Sequence, residues 1–149
     1  MFLISHRGNL TGPKSCEENS PEAIDKAIDI GYHVEVDLRY IDGKFMLGHD
    51  EGQYEVDMEW LKDRKDYLWI HCKNPEALDK LCYSNLVYFW HQTDNYTITS
   101  HGFVWAYPGK QPAGACIMVL PELEWSLEEC HKLKTIGVCS DYVETLRSM

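Results

Sequence analysis

Two histidines, an arginine and a pair of carboxylates fall within the first 50 residues, each beside a short apolar run: ISHRG at 4–8, EVD at 35–37 and GHD at 48–50. His6 and His49 offer imidazoles whose reference pKa of about 6.5 suits proton transfer near neutrality. On opposite sides of a phosphorus atom they would act as base and acid. Arg7 supplies a fixed cation. Glu35 and Asp37 are two apart, so in a strand both point to one face. Like charges held together there need compensation, which a hard divalent ion with oxygen ligands provides. Mg2+ or Ca2+ is therefore the expected cofactor, with Mn2+ as an alternative. Farther along, IHCKN at 70–74 places His71 and Lys73 on one strand face. Lys73 would neutralise a nonbridging phosphate oxygen and favour the more negative transition state. His71 is a candidate ligand, although imidazole prefers softer ions than Mg2+. The chemistry this set implies is cleavage of a phosphodiester.

The elements that must position these groups alternate between apolar strands and helices. FLIS at 2–5 is the first strand. NSPEAIDKAIDIG follows as a helix, with Ser20 as cap and Pro21 in the first turn. YHVEVDLRY reads as a strand, and DGKFMLGHD returns as a hairpin whose Asp42-Gly43 turn brings His49 back beside the carboxylates. A short helix over DMEWLKDRK precedes the strand YLWIHC. PEALDKLCYS is helical and LVYFWH a strand. YTITS and GFVWAY come next without a full helix between them, one or more helices being lost around 92–114. GACIMVLPE is strand-like, SLEECHKLKTIG a helix capped by Ser126 with Glu129 at its third position, and GVCSDY the last strand before a short tail.

This alternation predicts a mostly parallel α/β sheet. Eight full β/α units in 149 residues leave about 19 residues each, whereas a usual closed barrel takes roughly 250. Six or seven parallel strands plus the hairpin return fit a compact, incomplete or distorted (β/α) barrel of the TIM type, forming a single domain over residues 1–149. An open doubly wound sheet is the alternative, disfavoured in its cofactor-binding forms by the lack of a glycine-rich phosphate loop.

Composition narrows the partners. A formal charge of −10 with no basic stripe disfavours nucleic acid. It would also repel a phosphodiester unless Arg7, Lys73 and a bound cation reversed the sign locally. The six cysteines form no CxxC pair, and Cys72, Cys116 and Cys139 lie in apolar runs where reduced thiols act as small hydrophobes. No run approaches the roughly 20 apolar residues needed to cross a bilayer. A cytoplasmic protein without a stable membrane anchor is expected, its oligomeric state not readable from this pattern.

Other polar residues occupy places where they could serve the same centre. Glu18 and Asn19 precede the first helix and would orient groups that touch the ion, or merely end the loop. His91 closes YFWH, and Trp90, Tyr96, Trp105 and Tyr107 would line a pocket for an organic group or belong to the core. Asp141 ends a strand and is placed at the rim. His33, His101 and His131 have no comparable context.

Taken together, HRG, EEN with Ser20, EVD, HD, the IHCK strand and CSDY resemble the glycerophosphodiester phosphodiesterase family, part of a wider group of phospholipase-like barrels. The likeness spans nearly the whole chain but is concentrated in residues 4–50. It implies a metal-dependent (β/α) barrel in which His6 and His49 perform acid–base catalysis, Arg7 binds phosphate, Glu35 and Asp37 hold the metal, and Lys73 matches the family lysine. It also implies a small-molecule phosphodiester substrate, attacked in some members by a neighbouring hydroxyl to give a cyclic phosphate. The chain departs from the family where a later metal carboxylate is replaced by His71, and where the usual insertion after HD is missing. Two other readings stand beside this one. The first is a phospholipase-D-like lyase acting on lysolipid or sphingolipid headgroups, and the second a non-catalytic binder of phosphorylated sugars or alcohols.

Overall fold

A computed structural model of the chain describes residues 1–110 and 115–149. Among these, the apolar runs build ten strands of one sheet. They are β1 (Phe2–His6), β2 (His33–Ile41), β3 (Lys44–Leu47), β4 (Tyr54–Val56), β5 (Leu68–Cys72), β6 (Tyr88–Trp90), β7 (Tyr96–Ile98), β8 (Val104–Ala106), β9 (Cys116–Val119) and β10 (Gly137–Ser140). Seven run parallel in the order β6-β5-β2-β1-β10-β9-β8. The result is the compact, incomplete (β/α) barrel that the chain length predicted.

The barrel stays open between β6 and β8. There β7 pairs antiparallel with β8 alone, and isolated bonds cross to β6: Ser100 N–H to the Tyr88 carbonyl at 2.8 Å, and the Thr97 hydroxyl to the Trp90 carbonyl at 2.9 Å. The described part of the 92–114 stretch carries β7 and β8 and no helix; residues 111–114 lie outside the described set, so the expected strand over 114–122 is described from Ala115 onward. β2 is long enough to hold β1 along its first three residues and β3 along its last four on one edge, with β5 on the other. The hairpin turn falls at Asp42 and Gly43, both at positive φ as a two-residue turn of this kind requires.

Helices cover the outer face: α1 (Pro21–Asp29), α2 (Met58–Asp63), α3 (Pro75–Leu81), α4 (Leu127–His131) and α5 (Val143–Ser148). α1 begins on Ser20, whose hydroxyl accepts from Ala23 N–H, and buries Ile24 and Ala27. α4 carries the full capping box of Ser126 and Glu129. The helix expected over 126–137 is confined to Leu127–His131, and two further elements were not expected. YEV at 54–56 is a strand, β4, because β3 offers it an open edge. The tail after Ser140 winds into α5, whose Val143 and Leu146 are buried.

The pleat divides the barrel interior into layers. Ile4, Trp69, Phe89, Trp105, Ile117 and Cys139 fill it with apolar side chains from six strands. Two residues farther along each chain segment come His6, His71, His91, Tyr107, Val119 and Asp141. The same alternation that packs the barrel therefore delivers a polar ring to its C-terminal mouth, the face where barrels of this kind hold ligands.

Candidate functional site

Glu35 and Asp37 arrive at this mouth from β2, both buried. The Asn19 side chain clamps Asp37 from both sides: its amide NH2 donates to Asp37 Oδ2 at 3.0 Å, and its carbonyl accepts from Asp37 N–H at 2.9 Å. Arg7 Nε stands 2.9 Å from the same Oδ2, an ion pair not aligned as a hydrogen bond. One oxygen of each carboxylate, Glu35 Oε2 and Asp37 Oδ1, is buried without a hydrogen-bond partner. Native structures rarely leave such atoms unsatisfied.

His71 completes a cluster with them. Its Nε2 donates to the His91 carbonyl at 2.9 Å, and its ring stacks on Phe89 with 4.9 Å between centroids. Nδ1 faces Asp37 Oδ1 at 3.4 Å and Glu35 Oε1 at 3.7 Å. One donor atom from each of the three residues lies within 4.8 Å of the others. Two carboxylates and an imidazole converging with spare lone pairs form a site able to chelate a divalent ion. Lys73 Nζ approaches Asp37 Oδ1 at 3.7 Å. Burial alone would raise the Asp37 pKa, but His71, Arg7 and Lys73 outweigh it and hold the carboxyl well below its ordinary range.

His6 is pinned from behind. Its Nδ1 lies 2.8 Å from Asp141 Oδ1; an ionised carboxylate only accepts, so Nδ1 bears the proton and Nε2 looks into the mouth, 3.9 Å from Glu35 Oε2. Burial tends to lower the His6 pKa, and the Asp141 hydrogen bond with the Glu35 charge raises it above 6.5 on balance. Asp141 itself lies below the usual carboxylate range, since His6 and Asn9 overcome its desolvation.

Local backbone geometry puts these groups in place. Arg7 sits at φ 55°, an uncommon conformation for a non-glycine residue and the kind of strain found at functional sites. Its N–H is anchored on the Glu35 carbonyl at 2.9 Å, and its own carbonyl accepts from Asn19 N–H at 2.9 Å. Gly8 follows at φ 88°, a conformation that strains any side chain, and a Cβ there would press on Ala23 at 3.0 Å. At the other loop, Gly48 adopts φ 146° and a Cβ there would collide with the Glu51 carbonyl. That turn carries His49 to the mouth, where the ring is part-exposed and its Nδ1 lies 2.7 Å from Asp50 Oδ1. The Arg39 guanidinium, on the same strand as Asp37, donates to the His49 carbonyl and ties the loop down.

His6, Arg7, Glu35, His49, His71, Lys73, His91 and Trp105 all line one cavity of about 450 Å³. Trp90, Tyr107, Pro108, Leu120 and Leu123 form its apolar wall. The remaining expected residues sit one step back. Glu18 accepts from Arg7 at 3.1 Å and from Asn9 at 2.9 Å, and Asn19 and Asp141 hold Asp37 and His6. His91 reaches the cavity, but its Nε2 is engaged with the Asp94 carbonyl, and Tyr96 lies on β7. His33, given no role, accepts from Trp69 Nε1–H at 3.2 Å.

Three contributors were not foreseen from the sequence. Asn9 joins Glu18 to Asp141, Arg39 fixes the His49 loop, and Glu122 Oε1 accepts from Asp141 N–H and the Ser140 hydroxyl, both at 2.8 Å. Only Arg39 carried a usable signal, being two residues beyond Asp37 on the same strand face.

No family model and no curated protein matches the chain. Among solved structures it is similar to the crystal structure of a glycerophosphoryl diester phosphodiesterase from Parabacteroides distasonis ATCC 8503, at 13% identity over 99% of this chain and 85% of that one, with a TM-score of 0.56. At that identity the likeness is one of fold. No helix among the described residues is long and apolar enough to cross a membrane.

Proposed function

We propose that this chain is a divalent-metal-dependent phosphodiesterase acting on a glycerophosphodiester or a similar alkyl phosphodiester. The observation that carries the reading is the convergence of His6, His49, Arg7, Lys73, Glu35 and His71 on one cavity at the barrel mouth, with Asp37 just behind completing a three-ligand cluster that has two carboxylate oxygens free of hydrogen bonds. The fold shared with the Parabacteroides phosphodiesterase supports it.

Glu35, Asp37 and His71 would hold the ion, whose positive charge supplies Lewis-acid stabilisation of a phosphoryl oxygen when bound. Arg7 and Lys73 bind the remaining phosphoryl oxygens and make the mouth attractive to an anion in spite of the chain's overall charge. His6, its Nδ1–H fixed on Asp141, presents Nε2 as a proton acceptor or donor. His49, its Nδ1 beside Asp50, presents its own Nε2 from the loop. Between them they would remove a proton from the attacking hydroxyl and return one to the leaving oxygen, the attacker being water or a hydroxyl of the substrate itself. The apolar wall receives the alcohol portion.

That wall also favours a second reading, cleavage of a lysophospholipid headgroup, because Leu123 at its edge is 66% exposed and would meet an acyl chain. Retention of two imidazoles at one cavity argues against a purely binding role.

The test is to strip the protein with chelator, resupply Mg2+, Ca2+, Mn2+ or Zn2+, and follow glycerophosphodiesters and lysophospholipids by phosphorus NMR. Metal-restored turnover that His6→Ala loses is the expected result, with the product spectrum distinguishing cyclic from hydrolysed phosphate. Folded, metal-loaded protein inert on every diester would refute the reading.

A further inference from the structure

From the donor set at the barrel mouth we infer that the ion held there is a borderline first-row metal of the Zn2+, Co2+ or Fe2+ class, selected over Mg2+ and Ca2+ by His71. The inference rests on the metal-dependent reading of the site and goes on to name the ion class.

Mg2+ and Ca2+ take oxygen ligands almost exclusively, and a site meant for them gains little from an imidazole. Imidazole suits zinc, iron and their neighbours, with three protein ligands leaving open positions for a reacting group. Here the imidazole is neither incidental nor free to turn away. Its Nε2 can only be the protonated nitrogen, because the atom 2.9 Å from it is the His91 carbonyl oxygen. In the neutral ring, the form that binds metal, this leaves the lone pair on Nδ1, the nitrogen facing Asp37 Oδ1 and Glu35 Oε1 at 3.4 and 3.7 Å. Tetrahedral bonds of about 2.1 Å would set donors about 3.4 Å apart, so His71 Nδ1 already stands at about ligand spacing from one oxygen of each carboxylate, with the three donor atoms within 4.8 Å of one another. A backbone carbonyl on the far nitrogen is the partner that metal-bound histidines use to fix tautomer and ring orientation. Phe89 stacking at 14° between planes holds the ring against rotation.

The carboxylates point the same way. Glu35 Oε2 and Asp37 Oδ1 are buried and accept no hydrogen bond, meeting only the longer charge contacts of His6, His71 and Lys73. The other Asp37 oxygen is already taken by Asn19 and Arg7. Asp37 thus has one oxygen to give, which favours a low-coordinate ion over the six to eight oxygens that Ca2+ gathers.

The experiment measures binding, independently of turnover. Metal-free protein is titrated calorimetrically with Zn2+, Co2+, Mn2+, Mg2+ and Ca2+, and the Co2+ form is examined by proton NMR. The wild type is expected to show a hyperfine-shifted, slowly exchanging imidazole N–H, the Nε2 proton sheltered by the His91 carbonyl. His71→Glu is expected to lose that resonance and to lower the Co2+-to-Mg2+ affinity ratio roughly tenfold or more. Because any site binds Co2+ more tightly than Mg2+, the change in the ratio decides, and the ratio alone does not. His71→Asn, which puts a neutral oxygen near the Nδ1 position, gives the same answer should the glutamate variant fail to fold. Co2+ binding without a shifted N–H, or an unchanged ratio in the folded variants, overturns the assignment of His71 while leaving a metal-dependent phosphodiesterase intact. Failure of every ion to bind overturns both.

Discussion

The pairing of His6 with Asp141 couples the two ends of the chain, 135 residues apart, through one 2.8 Å contact. Its consequence is a single tautomer for His6 with Nε2 aimed at the mouth. Asp141→Asn preserves the shape of the side chain but offers an amide where a carboxylate stood, so it no longer favours an Nδ1–H or stabilises the protonated ring. Under the proposed function, kcat should fall roughly 10²- to 10⁴-fold with substrate binding much less affected. Steady-state kinetics on the metal-loaded variant, with circular dichroism to establish the fold, measure this. A variant that folds and turns over at the parent rate would remove His6 from the chemistry. Glu122 and Asn9 support Asp141 from its backbone and from its carboxylate, so their loss is expected to act in the same direction and more weakly.

At the scale of the elements, Asn74 does two jobs. Its Oδ1 caps α3 by accepting from Ala77 N–H at 3.2 Å and also takes the Tyr40 N–H of β2 at 3.0 Å, while its Nδ2 donates to the Tyr40 carbonyl at 2.9 Å. It therefore ties the helix after His71 to the strand that carries both carboxylates. Asn74→Ala removes a cap and leaves Tyr40 with two unpaired backbone groups, for an expected destabilisation of about 1–3 kcal/mol. Urea unfolding with an unchanged m-value measures it, and a loss below about 0.5 kcal/mol would deny Asn74 this bridging role. The strands that bear the site were legible in the sequence because period two is local: Glu35 and Asp37 share a face, as do His71 and Lys73, whatever surrounds them. The Asp42-Gly43 turn and the Ser126 capping box were legible for the same reason. α5 was not, since six residues beginning on Tyr142 without a side-chain cap owe their helix to packing against β1 and α4. Nor were Asn9 and Glu122, whose partners are chosen by the closure of the sheet. The missing helix between β6 and β8 was visible as a gap in the pattern, but the hairpin that fills it depends on pairing with β9.

For the whole molecule, concentrating buried charge at one mouth makes stability a function of pH and metal together. In the chelated protein the His71 pKa is pushed up to about 9: burial alone would lower it, but Asp37 and Glu35 favour the charged ring. Its folded value thus exceeds the unfolded one of about 6.5. The stabilisation is complete below pH 6.5 and is lost as pH rises from there through about 9, an effect on the order of 3 kcal/mol. His6, also raised, acts in the same direction. Cys72, pushed up to about 12 by burial, extends the decline at more alkaline pH. On the acid side, His33 is held below 6.5 by burial, and stability falls as pH drops below that value. Asp37 and Asp141, both depressed, withdraw their contributions as pH falls below about 4. Urea midpoints of chelated protein should therefore peak near pH 6.5 and fall steadily toward pH 9. A bound divalent ion takes the place of the His71 proton, so saturating metal should abolish the His71 part of that alkaline slope, the metal's contribution growing as the competing proton leaves and offsetting the decline. His71→Asn should lose most of the alkaline slope without metal. Parallel midpoint curves for chelated and metal-saturated protein between pH 6.5 and 9 would show that His71 and the ion do not share a site.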